Sequence, residues 1–289
     1  MLKKVKSVYI LRKVFLNIYK GIILKLVTYN NNLQKKLDLS IDDYIKQFNQ
    51  IKVELIPEDK LNQKENKFIN RIMHKSHYHI FFNGSREEID REYFTSDDKV
   101  SKIIILIDEE VTSLEGLFYK CISIKEIQFI TFNRNNIFDM SSMFTGCKNL
   151  INLNISKFKT ENTIDMSYMF RLCEKLNNLD ISSFKTINVI DMRYMFNNCK
   201  KITELNLSNF QWNSIKYMNF MFYGCNQLMK LNISNFNANT YSYEEESLTT
   251  PKINIKKIQL NKIFGKCPLN FKKEIKKQMP LLGKEAFID

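Results

Sequence analysis

The cysteines are the residues of this chain whose type and spacing first suggest chemistry. Five of the six are separated by equal steps of 26 residues, and they are Cys121, Cys147, Cys173, Cys199 and Cys225. Thiolates bind zinc where four ligands converge on one point, usually through a C-x-x-C spacing. Evenly spaced single thiols form a line instead, with about 5 Å between neighbours if successive copies stack as strands do. We therefore predict a structural ladder of buried, reduced thiols, which is typical of a cytoplasmic protein.

The histidines form the second constellation with spacing typical of metal ligands. His74, His77 and His79 follow an H-x-x-H-x-H pattern, and His77 and His79 would share one face of a strand. No cysteine joins them, and no carboxylate stands beside them in a known ligand motif. We therefore predict no metal and no cofactor, and we interpret the histidines as residues of a partly exposed strand.

Sequence motifs of catalysis are missing. The chain has no nucleophile elbow, Walker loop, dinucleotide fingerprint or kinase motif, and its 7 glycines disfavour a phosphate-binding loop. We therefore predict that the protein is not an enzyme. Asn154, Asn206 and Asn232 begin N-x-S sequons, which we attribute to a recurring strand sequence and not to glycosylation.

The cysteines end a frame that recurs with the same 26-residue step. In Met140-x-x-Met143-Phe144-x-x-Cys147, four apolar residues occupy positions i, i+3, i+4 and i+7. This spacing predicts a short helix with one buried face, so its methionines are interpreted as core and not as soft-metal ligands. Asp139 precedes the frame and would cap the helix. The other frames end at Cys121, Cys173, Cys199 and Cys225.

A pattern of period two follows each cysteine. Leu150-x-x-Leu153-x-Ile155 is representative, and it predicts a short strand with one buried face. Counterparts begin at Val100, Ile124, Leu176, Ile202, Leu228 and Ile255, so we predict a row of seven strands. A phenylalanine closes each regular copy, and this series is Phe132, Phe158, Phe184, Phe210 and Phe236.

The combined MF-x-x-C and L-x-x-L-x-L repeat resembles the BspA-like leucine-rich repeat family of bacterial surface and protist proteins. The resemblance covers residues 100 to 260. It implies an α/β fold, a right-handed leucine-rich repeat solenoid whose 26-residue repeats each contain a strand, a turn and a short helix. One copy cannot bury enough apolar surface to fold alone, so the copies must stack and the ends must be capped.

These patterns divide the chain into four predicted regions. Residues 1–50 form a basic helical segment, and residues 51–99 form an N-terminal cap with a strand or hairpin at residues 79–82. Residues 100–260 form the solenoid and residues 261–289 the C-terminal cap. Cys267 lies 42 residues after Cys225, so we place it outside the ladder.

The outward strand positions would form the concave face of the solenoid. They are Glu126, Gln128, Asn152, Asn154, Asn178, Asp180, Glu204, Asn206, Lys230 and Asn232, with Lys125 beside them. Together they carry two positive and three negative charges. A sheet that binds nucleic acid would instead be lined with Lys, Arg and aromatic residues. We therefore predict a non-enzymatic module whose concave face binds a protein or peptide, and nucleic acid is disfavoured.

The amino-terminal segment leaves alternatives open. Its first 36 residues hold nine Lys or Arg and no acidic residue. The spacing of Leu11, Phe15 and Ile18 loosely resembles an F-box without its leading proline, which implies an adaptor for ubiquitin ligation. A basic amphipathic helix on an anionic membrane surface is another reading, and the bacterial look-alikes imply an adhesin-like surface protein. Arg12 and Lys13 interrupt the apolar stretch, so we predict no signal peptide and a cytoplasmic location.

Overall fold

The computed structural model divides the chain into two units, Met1–Gln50 and Ile51–Asp289. It describes residues 46, 48–59, 65–71, 75–236, 241–242, 256–257, 262–280 and 282–289. The predicted amino-terminal helices lie outside the described residues, and so do the F-box-like and membrane-binding hypotheses that depend on them. His74 also lies outside the described residues. Among the residues that are described, no helix has the length and apolarity needed to cross a bilayer.

Antiparallel strands begin the second unit. Strand β5 (Ile103–Ile107) pairs with β3 (Tyr78–Phe82) on one edge and with β1 (Ile51–Pro57) on the other. The short pair β2 (Asn66–Lys67) and β4 (Tyr93–Phe94) lies outside this sheet. Alternate residues of β1, β3 and β5 are buried, because successive side chains of a strand point to opposite faces.

The strand predicted at residues 79–82 is present as β3, and it ends in the turn Asn83-Gly84. Both turn residues have positive φ, 53° and 75°, a conformation that asparagine and glycine tolerate best. The chain then returns along β5 and not immediately, so β3 does not form a tight hairpin.

The predicted row of seven strands is wrong at its beginning. Strand β1 lies between β5 and β6 (Ile124–Thr131) and pairs antiparallel with both, so the strand predicted from Val100 does not stack on β6. Alternating apolar residues show that a strand has a buried face, but they do not identify its neighbour.

Further along the row, the strand pattern is present but broken. Strand β7 (Asn152–Asn154) pairs in parallel with β6, and β8 (Glu204–Asn206) pairs in parallel with β9 (Lys230–Asn232). Residues 176–181 form no strand. Strand β11 (Lys256–Lys257), within the strand predicted from Ile255, pairs with β10 (Tyr241–Ser242) and not with β9.

The short helices predicted before each cysteine are also wrong. The frame at residues 140–147 consists of turns, and its alternate N–H groups donate to carbonyls 25 residues later. Met140 N donates to Asp165 O at 3.0 Å and Phe144 N to Met169 O at 2.9 Å. Parallel bridges link residues 113, 139, 165, 191 and 217 in the same way. Hydrogen bonding to the next copy replaces hydrogen bonding within a helix, while the same apolar side chains remain buried.

The turns of the frames have a backbone that a helix does not allow. Ser142, Tyr168, Tyr194 and Phe220 occupy equivalent positions and have φ between 55° and 60°. A residue with positive φ has a left-handed backbone conformation, which ends an α-helix. The backbone therefore turns at these positions, and its N–H groups donate to carbonyls of the next copy.

Aromatic rings and thiols of successive copies lie on one another in the core. The rings of Phe118, Phe144, Phe170, Phe196, Phe222 and Phe264 stack with centroids 5.5 to 5.7 Å apart. Each ladder cysteine from Cys147 to Cys225 donates its Sγ–H to the carbonyl of the phenylalanine 29 residues earlier. All five predicted ladder cysteines are buried free thiols.

The phenylalanines that close each copy form a second, less regular row. Phe132, Phe158, Phe184 and Phe210 have neighbouring centroids 4.7 to 6.3 Å apart. Phe236, which is half-buried, packs edge-on against Trp212 at 5.3 Å.

Cys267 lies inside the ladder, contrary to the prediction. Its Sγ donates to Phe222 O at 3.1 Å, and Gly224 N donates to Gly265 O at 2.8 Å, as in the regular copies. The longer spacing reflects residues inserted before this copy, so the stack extends past the boundary predicted at residue 260. Helix α1 (Leu269–Gln278) follows, with Phe271 and Ile275 buried, and Phe287 then stacks on Phe264 at 5.5 Å.

Candidate partner-binding groove

The predicted concave positions are exposed, because they alternate with buried leucines along short strands. Leu153, Leu205 and Leu231 point inward, and the residues before and after each of them point outward. Nine of the ten predicted residues are exposed and Glu126 is half-buried. Lys125 is half-buried, and its Nζ lies 2.7 Å from Asp59 Oδ1.

Strand pairing brings the outward residues together in rows. The register places Glu126 beside Asn152 and Gln128 beside Asn154. Further along the stack, it places Glu204 beside Lys230 and Asn206 beside Asn232.

The Glu204–Lys230 pair illustrates how weakly these exposed charges bind one another. Glu204 Oε2 and Lys230 Nζ are 3.8 Å apart, and both side chains are more than two-thirds exposed. Such a pair contributes about 0 to 1 kcal/mol, so a ligand can compete for either charge at little cost.

A groove of about 750 Å³ lies along the copies that follow Cys173, Cys199 and Cys225, between their outward positions and α1. Its predicted lining residues are Asn178, Asp180, Glu204, Asn206, Lys230 and Asn232. The residues that sequence reasoning missed are Leu179, Leu205, Met229 and Leu231 between them, and Phe271, Glu274, Ile275 and Gln278 of α1. The spacing of the α1 residues indicates a helix face, but nothing in the sequence indicates that this face meets the strand row.

Backbone turns orient one polar side chain in each copy of the groove. Asp180, Asn206 and Asn232 hold equivalent positions, and each Oδ1 accepts the N–H of the serine two residues later, at 2.9 to 3.2 Å. These turns fix the side chains before any ligand arrives. Asn206 and Asn232 are exposed, and within the described residues their Nδ2 groups donate no hydrogen bond.

The groove is negatively charged. Among the described residues that line it, Asp180, Glu204 and Glu274 outnumber Lys230 by three to one. The side chain and the backbone N–H of Ser182 hold the pKa of Asp180 below its ordinary value. Asp180 is therefore ionised at neutral pH.

The structure also shows an aromatic row on the surface that sequence reasoning missed. Tyr168, Tyr194 and Phe220 are half-buried, with centroids 4.8 and 4.7 Å apart. The Arg171 guanidinium lies over both tyrosines, 5.8 and 5.9 Å from their centroids. The 26-residue spacing of these aromatics could have indicated this row. The predicted helices did not show that these side chains would stack on one another from copy to copy.

Comparison with known proteins concerns the stretch that contains the regular copies. Residues 112–236 match a family described as Mycoplasma protein of unknown function, DUF285. The match covers less than half of the chain and is consistent with the resemblance to BspA-like proteins, but it assigns no activity. Neither the curated proteins nor the solved structures contain a significant match to the chain.

Proposed function

We propose that this protein is a non-enzymatic binding module that holds an extended, basic segment of a partner protein in the groove beside α1. The observation that carries the proposal is the convergence of six predicted outward residues with one face of α1 around a single groove. In this concave surface apolar residues lie between oriented polar groups, so a bound segment would gain both contact area and specificity.

The chemistry of the lining defines the segment. Asn206 and Asn232 present amide donors that can bond the carbonyls of an extended backbone, and Met229, which is 55% exposed, offers an apolar contact. Asp180, Glu204 and Glu274 favour Lys or Arg side chains in the groove. Binding should therefore weaken as salt concentration rises.

Selection from a random displayed-peptide library tests this proposal. The wild-type chain serves as bait and the Asp180→Lys/Glu204→Lys double variant serves for counter-selection. We expect enriched peptides rich in Lys or Arg that bind the double variant at least about tenfold more weakly, since two attractive charges become repulsive.

A matched control makes the same charge changes elsewhere. Asp97 and Glu115 are exposed and lie outside the groove, so Asp97→Lys/Glu115→Lys should bind the selected peptides as the wild type does. Equal loss in both variants, or enrichment of acidic or purely apolar peptides, would show that the groove is not the site.

We also propose that residues 112–236, together with residues 262–267, wind as a right-handed leucine-rich repeat solenoid in which turns stand where the short helices were expected. The parallel bridges and the inter-copy hydrogen bonds support this reading, since parallel connections are almost always right-handed.

Deletion of whole copies tests the solenoid. Removing residues 148–173 takes out one 26-residue copy and joins equivalent positions, so we expect a folded chain with a cooperative melt, because each copy contacts only its neighbours. Removing residues 148–160 breaks the register and should unfold the stack. The same outcome for both deletions, measured by circular dichroism, would contradict the proposal.

A further inference from the structure

A cluster of two histidines and two carboxylates lies where β3 begins and β5 ends. His77 ends the 3₁₀ turn Lys75–His77 and His79 belongs to β3, while Asp108 and Glu110 come just after β5. The antiparallel register pairs Tyr78 with Ile107, and Asp108 N donates to His77 O at 3.0 Å. His77 and Asp108, which are far apart in sequence, are thereby held side by side.

Three candidate ligand atoms, one each from His77, Asp108 and Glu110, all lie within 4.8 Å of one another, and His79 adjoins this group through Asp108. His77 Nδ1 lies 3.9 Å from Asp108 Oδ2 and 3.8 Å from Glu110 Oε2, and His79 Nε2 lies 3.1 Å from Asp108 Oδ2. Ligands at about 2.0 to 2.2 Å from a tetrahedral zinc ion are about 3.3 to 3.6 Å apart. The distances from His77 to Asp108 and to Glu110 are therefore within about half an ångström of those in a zinc site.

A second observation points to a ligand at the same place. His79 Nδ1 is 2.9 Å from Glu88 Oε1, so a carboxylate holds the ring nitrogen that faces away from the cluster. Carboxylates that bind a metal are in turn held by hydrogen-bonding partners, and His79 Nε2, 3.1 Å from Asp108 Oδ2, is such a partner. The side chains of His77, His79 and Asp108 are about one-third exposed, so an ion can reach them.

We propose that His77, Asp108 and Glu110 bind one Zn²⁺ ion, with His79 and Glu88 as positioning residues: His79 orients Asp108, and Glu88 orients His79. Imidazole nitrogen and carboxylate oxygen are both good zinc ligands, and two carboxylates neutralise the charge of the ion. The bound ion would fasten the start of β3 to the end of β5.

Two neighbouring features compete with the ion. Burial lowers the pKa of Arg134 to about 10, so its guanidinium remains charged at neutral pH, and this charge acts on Asp108 and Glu110. Burial of His79 opposes its protonation, but hydrogen bonds with Asp108 and Glu88 outweigh it and raise the pKa of His79. The competing hypothesis is that a protonated His79 bridges Asp108 and Glu88 and that no metal ion binds.

Zinc titration of the full, chelator-treated chain decides between these accounts. Calorimetry at pH 7.5 should show one Zn²⁺ site per chain, and His77→Ala and Asp108→Asn should each weaken it at least about tenfold. Glu88→Gln should weaken it about 10- to 100-fold through the orientation of His79. Glu87→Gln is the matched control, because Glu87 is an exposed carboxylate next to Glu88 that makes no contact with the cluster.

Cobalt substitution identifies the ligands independently. Co²⁺ in this site should give the visible absorption of a tetrahedral ion without a thiolate-to-cobalt charge-transfer band, since none of the ladder cysteines is a proposed ligand. Melting curves in chelator should show the four variants folded as the wild type is. No zinc binding, zinc binding unchanged in His77→Ala and Asp108→Asn, or a thiolate band would each overturn the proposal.

Discussion

Replacing Cys267 by aspartate tests the copy whose cysteine was predicted to lie outside the ladder. Cys267 is 7% exposed and Cys173 is fully buried, and each donates Sγ–H to a phenylalanine carbonyl of the preceding copy, at 3.1 and 3.2 Å. An aspartate at either position would bury a carboxylate that can accept but not donate, beside a carbonyl oxygen. Leaving a buried charge uncompensated costs about 3 to 5 kcal/mol.

That cost converts to a measurable shift in melting temperature. For a unit of this size, 1 kcal/mol corresponds to about 2 to 4 °C, so Cys173→Asp should melt about 6 to 20 °C below the wild type. Cys267→Asp should fall at the low end of this range. Burial raises the pKa of the Cys267 thiol to about 12, but the nearby Lys272 lowers it in part, and Lys272 would offset part of a carboxylate charge as well.

Differential scanning calorimetry at pH 7 and pH 5 is the assay. A buried aspartate has a raised folded-state pKa, so its cost is full above that pKa and shrinks as pH falls and the carboxyl group is protonated. Gln227→Glu, an acid placed at an exposed position beside Cys225, is the control and should melt with the wild type. A Cys267→Asp variant as stable as the wild type would refute the placement of Cys267 in the ladder.

Two further changes test local features. Asp98 accepts hydrogen bonds from Arg91 and from Thr95. These bonds, the Arg91 bond most of all, lower the pKa of Asp98 from 3.8 to about 2. Its folded pKa lies below the unfolded one, so about 2 kcal/mol of stability is present above pH 4 and is lost between pH 4 and 2; Asp98→Asn should remove this pH dependence in acid titrations followed by circular dichroism, and an unchanged titration would contradict it. Gly224→Ala should cost more than Gly84→Ala in urea melts: both have positive φ, 76° and 75°, but a Cβ at 224 meets the Asn198 side chain whereas none is near at 84. Equal midpoints would show that the copies do not approach closely at Gly224.

The sequence by itself determined which side chains are buried. The 26-residue steps of cysteine and phenylalanine place the same residue types in the core of each copy, and the alternation around Leu153, Leu205 and Leu231 gives an exposed polar face. These properties follow from local patterns, because burial of apolar side chains depends mainly on which face of the chain they share.

The conformation of the M-x-x-M-F-x-x-C frames was decided by tertiary contacts. A helix and a pair of tight turns both bring positions i, i+3, i+4 and i+7 to one side, so the apolar spacing cannot distinguish them. The choice was made by the partners of the backbone: Ser142 N finds Ser167 O at 2.8 Å in the next copy. Such a partner is 25 residues away and is invisible to a local pattern.

Long-range pairing decided the rest of the architecture and both candidate sites. Strand β1 enters between β5 and β6, and Cys267 rejoins the ladder after an insertion, although the spacing of Val100 and Cys267 indicated otherwise. The groove needs α1 against the strand row, and the histidine–carboxylate cluster needs the end of β5 beside the start of β3. Periodicity fixes the faces of segments, but only the packing of those faces selects their neighbours, and binding sites are made by neighbours.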